Sequence, residues 1–297
     1  MATLTVSLPA VLPVQPGLPA LRPPLPRGRR ALNAVQLYAL YVWLGIRQYW
    51  QYRGDIVFGL LHGTVSVFVQ VAIWTALYGG RDALDGIALS EMITYVFLGR
   101  VVWSLVRAGA APQLEALMTS GDIAVQLTRP GHLSLRLFFT NLGKGVYDLL
   151  LGTLPVVVIG LVWLPLKPPA SPGHLVAFLL TIAGAAAPFF ALDYLVGLLA
   201  FWVLKVRDLR WLVGIGTSFF SGALVPLWFF PDWLRRVCEL LPFQLMYFVP
   251  NAYYLGKLDL AALPLHLAQQ LLWLAVLVAG CALLWRASVR RLVVQGG

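Results

Sequence analysis

The chain has 297 residues, of which 60% are hydrophobic and only 11% charged, with a mean hydropathy of +0.80. A water-soluble domain carries about 25% charged residues, so this composition excludes a soluble globular protein and turns most of the surface toward lipid. The net charge of +10 does not imply nucleic acid: there is no dense basic run beyond residues 27–30, and basic residues of membrane proteins anchor the cytoplasmic side.

Residues 1–30 contain seven prolines and no acid, with the basic residues last. A secretory signal has the reverse order. The pattern predicts a disordered Pro-rich tail over 1–30, with Arg27, Arg29 and Arg30 available to anionic headgroups, and a membrane domain over 31–297. In residues 31–53, Leu37, Leu40, Tyr41 and Leu44 recur at helical spacing among Tyr38, Trp43, Tyr49, Trp50 and Tyr52. Trp and Tyr prefer the headgroup level, so this segment reads as an amphipathic helix in the interface.

A crossing helix needs about 20 apolar residues. Six such segments follow, near 55–78, 87–107, 135–163, 175–204, 211–230 and 263–286, giving an all-α membrane protein. With the N-terminus inside, 15 of the 22 Lys and Arg residues fall in cytoplasmic segments and five outside (Arg81, Lys167, Arg235, Arg236, Lys257), while Arg100 and Lys144 lie within spans. That asymmetry predicts both termini on the cytoplasmic side.

The stretch LVPLWFFPDWLRRVCELLPFQLMYFVP, residues 224–250, then lies outside between spans five and six. It is too oily for water, and Pro226, Pro231, Pro242 and Pro250 prevent one continuous helix. Broken backbone at membrane depth is tolerated where protein or a wet cavity covers it, so a re-entrant helical hairpin is expected. Within it Asp232 can cap a short helix, Trp233, Leu234, Val237, Leu240 and Leu241 form its apolar face, and Pro242 ends it. Such a plug suggests a gate or vestibule.

Arg100, Lys144, Asp148 and Asp193 sit inside predicted spans, where ions are costly and face protein or a wet cavity. Lys144 and Asp148 are four residues apart and can pair on one helix face; Arg100 and Asp193 can pair between spans. A proton relay or a polar substrate contact is the functional alternative to structural pairing. In GIGTSFFSGA, residues 214–223, the small residues let another helix approach, within the chain or in a dimer.

No catalytic set is visible, and there is no phosphate loop, so the chain is not expected to hydrolyse ATP by that route. Cys238 and Cys281 form no metal or redox spacing, and His62, His132, His174 and His266 are scattered. No metal or cofactor is expected in this chain.

Residues 111–138, APQLEALMTSGDIAVQLTRPGHLSLRLF, lie between spans two and three. Their core SGDIAVQLTRP resembles the segment after the second span of ABC-2 type transporter permeases, where G-D-I…L…R-P recurs. SGALVPLWFFPDWLRRVCELLPFQLMYFVPNAYYLGK, residues 221–257, resembles the family's "sG…P…fP.wl…lPF…y.P…lG" segment. With the six spans and the interfacial helix, the likeness covers nearly all of the chain after residue 30, and it is strongest to the branch of permease-only chains.

The resemblance implies a permease in the cell (inner) membrane that pairs with a second copy or a sister permease. Two separate ATPase subunits dock below, and ATP and Mg belong to them. The segment carrying Ser120, Gly121, Asp122, Leu127, Arg129 and Pro130 would be the coupling helix resting on the ATPase. The hairpin carrying Pro226, Pro231, Trp233, Pro242, Phe243 and Pro250 would cap the exit. The substrate class stays open among amphiphiles, drugs, lipids and glycans. Lys144 and Asp148 depart from the family pattern. A proton-coupled secondary transporter using Asp193 and Arg100 is the alternative, although no inverted repeat is evident between 55–163 and 175–286. A membrane-embedded transferase would need an interfacial cluster of Asp, His or Arg.

Overall fold

The computed structural model describes residues 27–50, 53–106, 109–202 and 206–295. The chain divides into two compact units at residue 37. Of the first, the described part is the opening of helix α1 (Arg27–Trp50); the second holds everything below. Helix starts at Arg27, four residues before the expected interfacial helix, and residues 1–26 of the expected tail lie outside the described residues. In the second unit Tyr38 of α1 stacks on Phe139, with ring centroids 4.7 Å apart.

α2 (Arg53–Tyr78) shows why the bundle belongs in lipid. Val67, Val71, Trp74 and Tyr78 are buried at helical spacing, while Leu61, Val65, Val69, Ile73 and Leu77 are exposed on the opposite side. A helix apolar all round needs an apolar solvent on the face its own chain does not cover. Among the described residues, five helical stretches are long and apolar enough to cross a membrane: Phe58–Tyr78, Leu89–Thr119, Leu133–Trp163, Pro172–Phe201 and Leu260–Ser288.

A two-stranded ribbon, β1 (Ala83–Leu84) and β2 (Ile87–Ala88), leads into α3 (Leu89–Val106). α4 (Ala110–Thr119) and the six-residue α5 (Ile123–Thr128) follow. The third crossing stretch is α6 (Leu133–Tyr147), a π-helical turn at Asp148–Thr153, and α7 (Leu154–Trp163). α8 (Pro172–Leu198) is the central helix, packed by α12 (Leu263–Gln295), α4 and α11 (Phe248–Tyr254). Ser171 caps its start by accepting from the His174 N–H.

The expected fifth span, 211–230, differs. Helix α9 (Val206–Phe220) has 15 residues, about 22 Å at 1.5 Å per residue, against about 30 Å of hydrocarbon. It ends before residue 230 because Gly222 adopts φ +80°, and Gly222 N–H and Ala223 N–H return to the carbonyls of Phe219 and Ser218. This is a left-handed glycine stop, and Pro226 follows it. The chain then makes short 3₁₀ turns around α10 (Asp232–Leu240) before α11.

The two ends of the bundle are distinct. At one, Glu91 at the start of α3 accepts from Lys167 at 3.2 Å and Lys257 at 2.8 Å, and its Oε2 accepts from the Ala88 N–H at 3.0 Å. Residues 86–91, 167 and 257 therefore meet at this end of the bundle. At the other end, α4 and α5 meet the start of α6 and the end of α8, and Phe201 contacts Trp285.

Candidate functional site

A cleft of about 530 Å³ lies between α3, α8 and α9, lined by Trp103, Phe189, Asp193, Arg210, Trp211 and Ser218, among others. Its character follows from what each helix supplies. α3 and α8 give aromatic walls, Trp103 and Phe189 meeting edge to face at 5.5 Å. α9 gives small and hydroxylated residues (Gly214, Thr217, Ser218) and, near its start, the cations Arg207 and Arg210. Such a cleft has apolar area for a lipophilic body and a basic end for a polar or anionic one.

Asp193 lines this cleft and also holds α4. Its Oδ2 accepts from the Ala111 N–H at 3.0 Å, in the first turn of α4, where backbone donors lack intrahelical partners. Asn141 of α6 completes the anchor: it accepts from the Gly109 N–H at 3.0 Å and exchanges amide hydrogen bonds with Gln113 at 3.2 and 3.3 Å. Gly197 of α8 packs against Ala111 and Leu114. The start of α4 is thus fixed to two crossing helices by polar contacts.

The residues 120–130 follow α4 directly. Gly121 has φ +77°, and Ser120 Oγ donates to Asp122 Oδ2 at 2.8 Å. Asp122 stands at the N-cap of α5 but makes no side-chain cap hydrogen bond; its carboxylate serves the Ser120 hydroxyl instead of a backbone N–H. Ile123 is buried and pins α5, whereas Val125, Leu127 and Arg129 are exposed. Arg129 turns extended and Pro130 prevents further helix. Arg136 of α6, itself buried, donates to Gln126 Oε1 at 3.3 Å and to the Gln126 carbonyl. α5 is therefore a short rod strapped to α6.

The proline-broken stretch packs into the bundle. Pro226, Pro242 and Pro250 are buried, Phe243 is half-buried, and Leu245 to Val249 are buried. Tyr247 and Phe248 contact Tyr95 of α3, and Tyr95 Oη donates to the Gly222 carbonyl at 2.8 Å. Pro231, not Asp232, occupies the N-cap of α10, and the Asp232 carboxylate pairs with Arg235 at 3.3 Å. Cys238 is buried, while Trp233, Val237 and Leu240 form an exposed apolar edge.

Of the intramembrane charges, Asp148 starts the π-helical turn and feels both Lys144 and Arg100. The Arg100 guanidinium lies against Gly63 of α2. Gly214 and Gly216 of the small-residue stretch face open space within the chain.

Sequence reasoning missed Glu91, Asn141 and Gln113, and it missed Trp103, Phe189 and Arg210 as cleft residues. Glu91, an acid one turn into an apolar segment, is the one that carried a local signal. A family model described as ABC-2 family transporter protein matches residues 64–296. Among curated proteins none matches the chain.

Proposed function

The chain belongs to the ABC-2 family of transporter proteins, and we propose that it is the permease subunit of an ATP-driven exporter, moving an amphiphilic, drug-like, lipid or glycan substrate with energy from separate ATPase subunits. As a family member it is a multi-pass membrane protein whose part in transport is not itself catalytic. The six-crossing arrangement with cytoplasmic termini, in the cell membrane, belongs to this proposal. So do a second permease copy or sister permease against α9, where Gly214 and Gly216 are open, and the re-entrant hairpin as exit gate.

The observation that carries the reading is the double role of Asp193. It lines the cleft and holds the first turn of α4. α4 leads through Gly121 into α5, whose Val125, Leu127 and Arg129 are exposed and available to a docked subunit. A push on α5 reaches α4 through the short Gly121 turn, and Asp193 passes it to the cleft. A rigid rod transmits such a displacement, whereas a loose loop would absorb it. In this mechanism α5 meets the ATPase, ATP with Mg drives closure on that partner, and the cleft changes its access.

Val125→Asp and Arg129→Glu test the joint without touching the cleft. In membranes or nanodiscs containing both subunits, each variant is expected to remain folded and lose transport while the free ATPase keeps its hydrolytic rate. A desolvated charge at the joint costs several kcal/mol, enough to abolish docking. Normal transport by both variants, with the ATPase bound, would remove residues 120–130 from the coupling role.

A further inference from the structure

A second groove, of about 640 Å³, lies between the start of α6, α8 and α12, away from the cleft. Its walls are Phe138, Phe190, Tyr194, Val278 and Trp285, and Arg136 and His132 stand at one end. No Asp or Glu is among the lining residues.

Two features fix what this groove is built to hold. The first is depth. Arg136 is three residues inside the crossing stretch Leu133–Trp163, and Trp285 is three residues from the end of Leu260–Ser288. At 1.5 Å per residue both lie about 4.5 Å from the ends of their spans, which is the headgroup level. Trp285 is an amphipathic aromatic of the kind favoured there. The second is charge. Arg136 is 4% exposed, and among the described residues its Nη atoms reach only the neutral Gln126 and its Nε has no hydrogen-bond partner. Among the described residues no carboxylate forms a salt bridge with it. A buried cation without an anion is costly, and an apolar groove continuing from it into the hydrocarbon calls for an amphiphile whose anionic head supplies that partner.

We propose that this groove is a binding site for one anionic phospholipid, its phosphate at Arg136 and an acyl chain along Phe138, Phe190 and Val278. Basic pockets between crossing helices take lipid headgroups in this way. Leu127 of α5 borders the same groove, so the bound lipid also braces the rod that Arg136 straps. The site rests on the chain being a membrane protein and not on its pairing with an ATPase, so its failure would leave the transport reading intact.

The experiment uses the full chain in nanodiscs of phosphatidylcholine containing a minor fraction of phosphatidylglycerol. Native mass spectrometry after gentle release counts the lipids that stay bound. The wild type is expected to retain one phosphatidylglycerol, enriched on the order of fivefold over its share of the bilayer, the worth of one cation near the surface. Arg136→Lys should keep the preference, and Arg136→Gln should retain both lipids equally. Because Arg136 also holds Gln126, a second variant leaves it alone: Ala282→Trp fills the groove at an exposed position and should lose the bound lipid while circular dichroism stays unchanged. Equal retention of the two lipids by the wild type, or undiminished retention by Ala282→Trp, would overturn the proposal.

Discussion

Glu91 joins three segments that are far apart in sequence, and its two lysines differ in a way that predicts their separate worth. Lys257 lies 2.8 Å from Oε2 with its side chain 24% exposed, whereas Lys167 lies 3.2 Å from Oε1 and is 44% exposed; Glu91 itself is 14% exposed. A hydrogen bond to a charged group contributes about 1.5–3 kcal/mol when sheltered, and an exposed pair about 0.2–1 kcal/mol. Lys257 falls between these limits, so its coupling to Glu91 should be about 1–2 kcal/mol. Lys167, more solvated, should couple by less than about 1 kcal/mol. Glu91→Gln keeps the shape and an oxygen for the Ala88 N–H but removes the charge, and it should cost about 2 kcal/mol in all. The assay is unfolding in mixed micelles by a denaturing detergent, applied to two double-mutant cycles, Glu91→Gln with Lys257→Met and Glu91→Gln with Lys167→Met. A coupling at Lys257 within about 0.3 kcal/mol of zero, or a larger coupling at Lys167 than at Lys257, would refute the reasoning.

Gly99→Ala should destabilise the protein by about 1–3 kcal/mol, because a Cβ there would collide with the Tyr247 ring and hydroxyl; Tyr247→Leu in the same chain should recover part of the loss, and no recovery would mean the collision is not the cause. Cys238 is fully buried, and that burial, with the Glu239 carboxylate beside it, pushes its thiol up. It should resist maleimide until the protein is denatured, and the stability gained by a neutral thiol should be complete below its ordinary value near 9.0 and decline as pH rises beyond it. Arg236→Cys should react with an impermeant thiol reagent added outside intact cells while Arg207→Cys reacts only after permeabilisation; the opposite pattern would invert the topology.

What the sequence made legible was what local physics decides. Apolar runs of span length appear as five crossing stretches. Pro231 and Pro242 bound α10 as prolines must when they cannot continue a helix. The fifth span was overextended to 230 because hydropathy averages over a window, and the oily residues after Phe220 hide a glycine stop. Gly222 carried the signal, but a glycine inside an apolar run is read as readily as a packing residue as a terminator. Asp122, placed just before α5 where an Asp ordinarily caps a helix, departs from that role for a related reason. An Asp before a helix has several donors within reach, and here the Ser120 hydroxyl, two residues away, holds its Oδ2 while the cap backbone goes without a side-chain bond.

Asp193 shows where such reading stops. A lone carboxylate near mid-span has three physical fates: an ion partner, a proton site, or a set of backbone donors. Charge count alone favoured the first, since Arg100 was the available cation. The structure shows a backbone donor as well, the Ala111 N–H at a helix start 82 residues earlier in the chain, and nothing in the spacing of either segment announces that meeting. The consequence is specific. The Asp193 carboxylate meets the Ala111 N–H in the first turn of α4, where backbone donors lack intrahelical partners, so it keeps that helix start seated. Asp193 ties α8 to the start of α4 and lines the cleft at the same time, so a displacement of either helix is felt at the other.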